Sequence, residues 1–138
     1  MNLNVNVCNE IVAAAMEKAA SLSARVSIAV VDAGGNLLSF TRMDRAEIAG
    51  PILAVDKAYT AVSNRITTEE LATLAAPGGP LFGIHGNGGG RFVIFGGGVP
   101  IFVDGEVVGG IGVSGGAVEE DIASANAGLA RYEQLRTR

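Results

Sequence analysis

Apolar residues recur along this chain in two rhythms, and the rhythms alone lay out its elements. Cys8, Val12, Ala15, Ala19 and Leu22 step by four and three, which predicts an amphipathic helix over about 7–22. Val26 to Val31 and Leu37 to Phe40 are β-rich runs separated by Asp32-Ala33-Gly34-Gly35-Asn36, a turn composition, so they read as a hairpin. Gly50-Pro51 opens a second helix over about 51–64, since proline is tolerated at a first helical position. Its four-three stripe is Ile52, Val55, Tyr59 and Val62, which leaves Lys57 off the apolar face. Thr67 with Glu70 three residues later forms a capping box for a short helix that must stop before Pro77.

A long glycine-rich loop, Pro77 to Gly90, follows. Arg91-Phe92-Val93-Ile94-Phe95, Val99 to Val103 and Glu106 to Val113 then read as three strands, the last two joined at Asp104-Gly105, a strong hairpin signal. A final helix begins near Gly116, with Glu119, Glu120 and Asp121 in its first turn, where the dipole favours negative charge, and with Val118, Ile122, Ala125, Leu129 and Tyr132 toward the core. The expected fold is therefore α+β: one domain over 1–138, with a mostly antiparallel five-stranded sheet flanked by helices.

The last strand carries a bare face. Val107, Gly109, Ile111 and Val113 share one side, while Val108, Gly110, Gly112 and Ser114 share the other. Adjacent same-face glycines weaken a strand, so something is expected to approach Gly110 and Gly112 closely: the terminal helix, a flat ligand or a neighbouring subunit. Gly110-Ile111-Gly112-Val113-Ser114-Gly115 matches G-x-G-x-x-G, but the acids that follow and the lack of a second parallel strand argue against a dinucleotide. Around Ser114, backbone N–H groups could receive one carboxylate, or Ser114 could cap the helix.

Composition narrows the function classes. Hydrophobic residues make up 49% and charged residues 17% of the chain, and mean hydropathy is +0.37, the opposite of disorder. Fourteen acids against ten bases leave a net charge of −4, so nucleic acid is not expected as a partner. No apolar run approaches the roughly 20 residues of a membrane span, and with Lys18 as the first basic residue no secretory-type leader is expected. A single cysteine, Cys8, fits a reducing compartment, and the expected location is cytoplasmic. So few charges on a small body also suggest apolar surface covered by further copies of the chain.

One histidine, His85, lies in the glycine-rich loop, where neighbours without side chains allow close approach of a ligand. An imidazole binds iron or moves a proton near neutral pH. Arg42, Lys57 and Arg91 are the candidate anchors for a carboxylate; each could equally be a surface ion pair with Asp44, Glu47 or Asp56. One cysteine and one histidine cannot build a structural zinc site, and no Walker-type phosphate loop occurs.

The motifs Ala29-Val30-Val31-Asp32 with Gly35, Arg42-Met43-Asp44, Lys57-Ala58-Tyr59-Thr60-Ala61, Gly97-Gly98-Val99-Pro100 and Ile111-Gly112-Val113-Ser114-Gly115-Gly116 with Glu120-Asp121 together resemble the GlcG/HbpS-like haem-binding family, also found as the C-terminal domain of PduO-type proteins. The match runs in order over essentially the whole chain. The resemblance implies a profilin-like fold, homodimers or octamers, haem or corrinoid-related binding in some members, and a setting in the catabolism of small organic acids. In helix one the matching stretch offers Lys18 and no histidine, so His85 is the only imidazole for haem iron.

Two readings follow. The first is an oligomeric binding protein that holds haem or another planar, carboxylate-bearing ligand, with Arg42, Lys57, His85, Arg91, Gly110, Gly112 and Ser114 as its site. The second is a cofactor-independent enzyme acting on a small organic acid by proton transfer, tautomerisation, hydration or hydrolysis, with His85 as the acid/base.

Overall fold

The computed structural model describes residues 3–138, in the order α1 (Val5–Ser21), β1 (Ser27–Asp32), β2 (Leu37–Arg42), α2 (Gly50–Asn64), α3 (Thr68–Leu74), β3 (Gly98–Val103), β4 (Glu106–Ser114) and α4 (Val118–Arg136), with 3-10 turns at Ile84–Gly86 and Gly88–Gly90. Among the described residues no helix is long and apolar enough to cross a membrane. The four strands form one antiparallel sheet in the order β2-β1-β4-β3.

Helices cover both sides. On one, α1 and α4 lie together over Ile28, Val30, Val99, Ile101, Ile111 and Val113, and their buried Ile11, Val12, Ala125 and Tyr132 complete the main core. Each buried Ile or Val among them contributes about 1.5–3 kcal/mol by leaving water. Cys8 is buried here, and burial pushes its thiol up to about 11, so it behaves as a small hydrophobe. The other face carries small residues: Ala29 pairs with Gly112, Val31 with Gly110, Gly98 with Gly112 and Pro100 with Gly110.

It is α2 that covers this second face, and it comes in unusually close. A Cβ on Gly112 would lie 1.9 Å from the Ala54 carbonyl oxygen and 2.6 Å from the Ala58 nitrogen; one on Gly110 would lie 2.8 Å from the Ala58 carbonyl oxygen. The glycine stripe is thus the seat of α2's backbone, not of the terminal helix. The buried residues of α2 are consequently Gly50, Ala54, Lys57, Ala58, Thr60, Ala61 and Val62; of the expected apolar stripe Val62 is buried, while Ile52 at its head is 70% exposed. Only small residues let the two backbones meet at this range. In α4 the face is likewise turned toward Asp121, Ser124, Ala125, Gly128 and Tyr132, leaving Val118 exposed.

The expected fifth strand does not form. Residues 91–95 lie against α2: Thr60 Oγ1 accepts the Val93 N–H at 3.0 Å and lies 3.2 Å from the Arg91 carbonyl oxygen. The Val93 N–H is thus spent on a helix side chain rather than on a ladder. Gly97, at φ +128, then turns the chain into β3. The predicted Asp104-Gly105 turn is present, with φ of 51° and 81°.

Gly112→Ala is expected to lower unfolding free energy by at least the roughly 3 kcal/mol at the top of the usual overpacking range. Gly86→Ala, at a position with nothing within 4 Å, should be close to neutral. Urea melts of the two variants compare them directly, and an unperturbed Gly112→Ala midpoint would disprove the tight docking.

Candidate functional site

Where β3 begins, the sheet has a defect. The last β3–β4 partners are Gly98 and Gly112, and one residue further on Val113 gives its N–H to the Gly97 carbonyl at 2.9 Å. The carbonyl of Val113 takes its hydrogen bond from Lys57 Nζ instead, at 2.9 Å. Lys57 is fully buried, its ammonium lies 3.2 Å from Asp121 Oδ2, and the Phe95 ring centroid is 4.9 Å away. Its charge is thus held by a carbonyl, a carboxylate and an aromatic face. Gly97 leaves the space: a Cβ there would stand 2.8 Å from Nζ.

Asp121 faces two ways. Its Oδ2 meets Lys57, and its Oδ1 accepts the Gly116 N–H at 2.9 Å, while Glu120 accepts the Ala117 N–H at 2.8 Å. These two acids cap α4. The N–H groups that sequence reasoning left for a bound carboxylate, or for Ser114, are therefore already taken. Burial pushes the Asp121 carboxyl up and the Lys57 ammonium down, and their mutual attraction opposes both shifts. Asp121 was missed as a partner because it sits in a helix first turn, where an acid already has an explanation. A signal did exist: Lys57 falls at four-three spacing with Ala54, Ala58 and Ala61, a cation on a small-residue face.

The remaining candidates disperse around this post. Gly110 and Gly112 lie under α2, so the expected hollow over them is filled by the protein itself, and Ser114 is buried on the same face, opposite Ser27. Arg91 pairs with Asp56 at 2.9 Å, and its guanidinium lies 3.7 Å from the centroid of Tyr59, whose ring stacks on Phe92. Arg42 stands at the far end of β2 and donates from Nε to the Ala46 carbonyl at 3.0 Å. His85 is exposed on the first 3-10 turn, edge-on to Phe82 at 6.3 Å, and among the described residues it makes no hydrogen bond or ion pair. Phe82 and Leu81 beside it are 57% and 38% exposed. Arg42, Lys57, His85 and Arg91 thus do not converge on one pocket; His85 with its apolar neighbours is one surface left open to a ligand. No group of three or more metal-ligating side chains occurs among the described residues.

The family model described as haem degrading protein HbpS-like matches residues 3–130. An uncharacterised 15.0 kDa protein of Citrobacter freundii, encoded between dhaT and dhaS, is 41% identical over 86% of this chain and 83% of its own length. Corrinoid adenosyltransferase PduO of Salmonella typhimurium is 37% identical over 93% of this chain, which spans only 38% of PduO. Among solved structures, a PduOC:haem complex superposes with a TM-score of 0.90 at 36% identity, covering 95% of each chain.

The buried pair yields a double-mutant prediction. Lys57→Met or Asp121→Asn alone is expected to cost about 3–5 kcal/mol, because each strands a buried charge. The pair Lys57→Met/Asp121→Asn, which keeps an acceptor for the Gly116 N–H, should recover most of that loss. In Lys57→Met the carboxyl's pKa in the folded protein stays above its unfolded value, so the folded state binds the proton first and the variant's deficit should shrink between pH 7 and pH 5. Additive single-variant losses in urea unfolding, or a deficit that grows on acidification, would refute the coupling.

Proposed function

This chain belongs to the HbpS-like family, and from that premise we propose that it is an oligomeric small-ligand-binding protein that takes haem, or a related planar carboxylate-bearing ligand, on the loop surface around His85. The observation that carries the reading is the imidazole itself. It is exposed and, among the described residues, free of polar partners, and Phe82 and Leu81 leave apolar surface uncovered beside it. That set fits a one-sided haem site, with His85 for the iron and the Phe82 and Leu81 side chains for the porphyrin face. Bound haem would supply a redox-active iron. Because His85 stands on an open surface, a second copy of the chain is the natural cover for the other face of the ligand.

The similarity to a PduOC:haem complex supports haem as the first ligand to test. A setting in organic-acid catabolism and a cytoplasmic location remain part of the proposal. The enzyme reading has less behind it. Lys57 has committed its donors to Val113 and Asp121, and Arg91 is engaged by Asp56, so no uncommitted anchor contacts His85.

Titrating the purified protein with haemin is expected to shift the Soret band saturably, and His85→Ala should weaken binding at least about tenfold, a loss of roughly 1.4 kcal/mol. Native mass spectrometry of the titrated sample should find haem on a multimer. An unshifted Soret band sinks the haem reading; an unchanged titration in His85→Ala removes His85 as ligand.

A further inference from the structure

The chain has eight arginines, and the way they are used is uneven. Arg91, Arg131 and Arg136 each pair with a carboxylate. Arg25, Arg42 and Arg45 have no carboxylate within 4 Å among the described residues, yet they gather at one corner of the sheet. Arg25 and Arg45 line a cleft of about 530 Å³ that runs past Gly115 and Gly116. Arg25 also lines a second cleft of about 330 Å³, together with Arg42, Met16 and Met43. Arg25 thus stands between two recesses, each with a further arginine.

The turn that presents these side chains is held from several directions. The Met43 N–H donates to the Val26 carbonyl at 2.9 Å, the Val26 N–H reaches Met43 Sδ at 3.5 Å, and the Ala46 N–H donates to the Met43 carbonyl at 3.0 Å. Arg42 grips the carbonyl of buried Ala46 with both Nε and Nη2, which leaves its Nη1 side for a ligand. Within this pinned turn Arg45 is at φ +64, a left-handed conformation that disfavours a long side chain. Ser23, at φ +59, lines the same cleft. Strain at a rigid turn beside unpaired arginines is the pattern of a preorganised recognition site.

We propose that Arg25, Arg42 and Arg45 form a receptor for a small dicarboxylic acid, one carboxylate in each cleft. The guanidinium forks of Arg25 and Arg45 match carboxylates two bonds at a time, Arg42 adds the Nη1 side that Ala46 leaves free, and Met16 and Met43 give the smaller cleft an apolar wall for the carbon chain. Asp44, Glu47 and Glu120 border the clefts, Glu120 being turned to the Ala117 N–H, and their charge disfavours anions that engage only one arginine. Of the anchors expected from sequence, Arg42 belongs to this cluster and not with Lys57 or Arg91.

The test is an NMR titration of the full chain, without haem, using succinate, acetate and inorganic phosphate at one ionic strength. Succinate should saturate, acetate should bind at least tenfold more weakly, and phosphate should fall behind succinate. Arg25→Met and Arg45→Met should each weaken succinate at least tenfold, while Arg65→Met, which removes another arginine without an ion pair, should leave it unchanged. Thermal melts check that the variants remain folded, and Arg25→Gln replaces any that does not. Absence of saturation, equal binding of acetate or phosphate, or an equal loss in Arg65→Met overturns the proposal. Because no haem is present, the outcome is separate from that of the His85 titration.

Discussion

The close seat of α2 on β4 is the constraint from which most of this architecture follows. Two backbones can approach so closely only if neither side carries bulk, and Gly110 and Gly112 meet Ala54 and Ala58 on those terms. Small residues bury little apolar area, so this side of the sheet gains less from the hydrophobic effect than the α1/α4 side. It relies instead on polar fastening. Lys57 ties α2 to the Val113 carbonyl and to Asp121 at the start of α4, and Thr60 ties it to residues 91–93. A buried ion pair of this kind seldom adds net stability; its use is to fix which surfaces meet.

That fastening decides where chemistry can occur. Once α2 fills the glycine face and Lys57 is enclosed, the sheet interior offers no room for a ligand. What remains is peripheral. The loop between α3 and β3 presents His85 with Phe82 and Leu81, and the corner where β1 begins and β2 ends presents three arginines without ion-pair partners. A rigid two-sided core with recognition on loops and turns is a common division of labour, since loops change without disturbing packing. Here the long loop is itself anchored through Thr60 and the Arg91–Asp56 pair, so His85 is exposed on a tethered segment.

For the site, the sequence was legible in kind more than in arrangement. It singled out Lys57 and Arg91 as notable cations, and both turn out to be committed, Lys57 to Asp121 and Arg91 to Asp56. It marked Gly110 and Gly112 as places of close approach, which holds, but it left the approaching body open, and that body is α2. Asp121 went unnoticed because a local reason for an acid in a helix first turn hid the longer-range one.

By itself the sequence determined the helices, the two hairpins, the Asp104-Gly105 turn and the N-cap at Thr67, because these depend on propensity and spacing within a few residues. Its family motifs fixed the kinship for the same reason, being read off the chain in order. The tertiary structure alone decided which helix face is buried and that residues 91–95 serve α2 rather than the sheet. Periodicity follows the large apolar side chains, whereas at close range it is the small residues that face the sheet and Ile52 that is turned out. Which charges find partners was settled there too, since Lys57 and Asp121 lie 64 positions apart and only folding brings them within 3.2 Å.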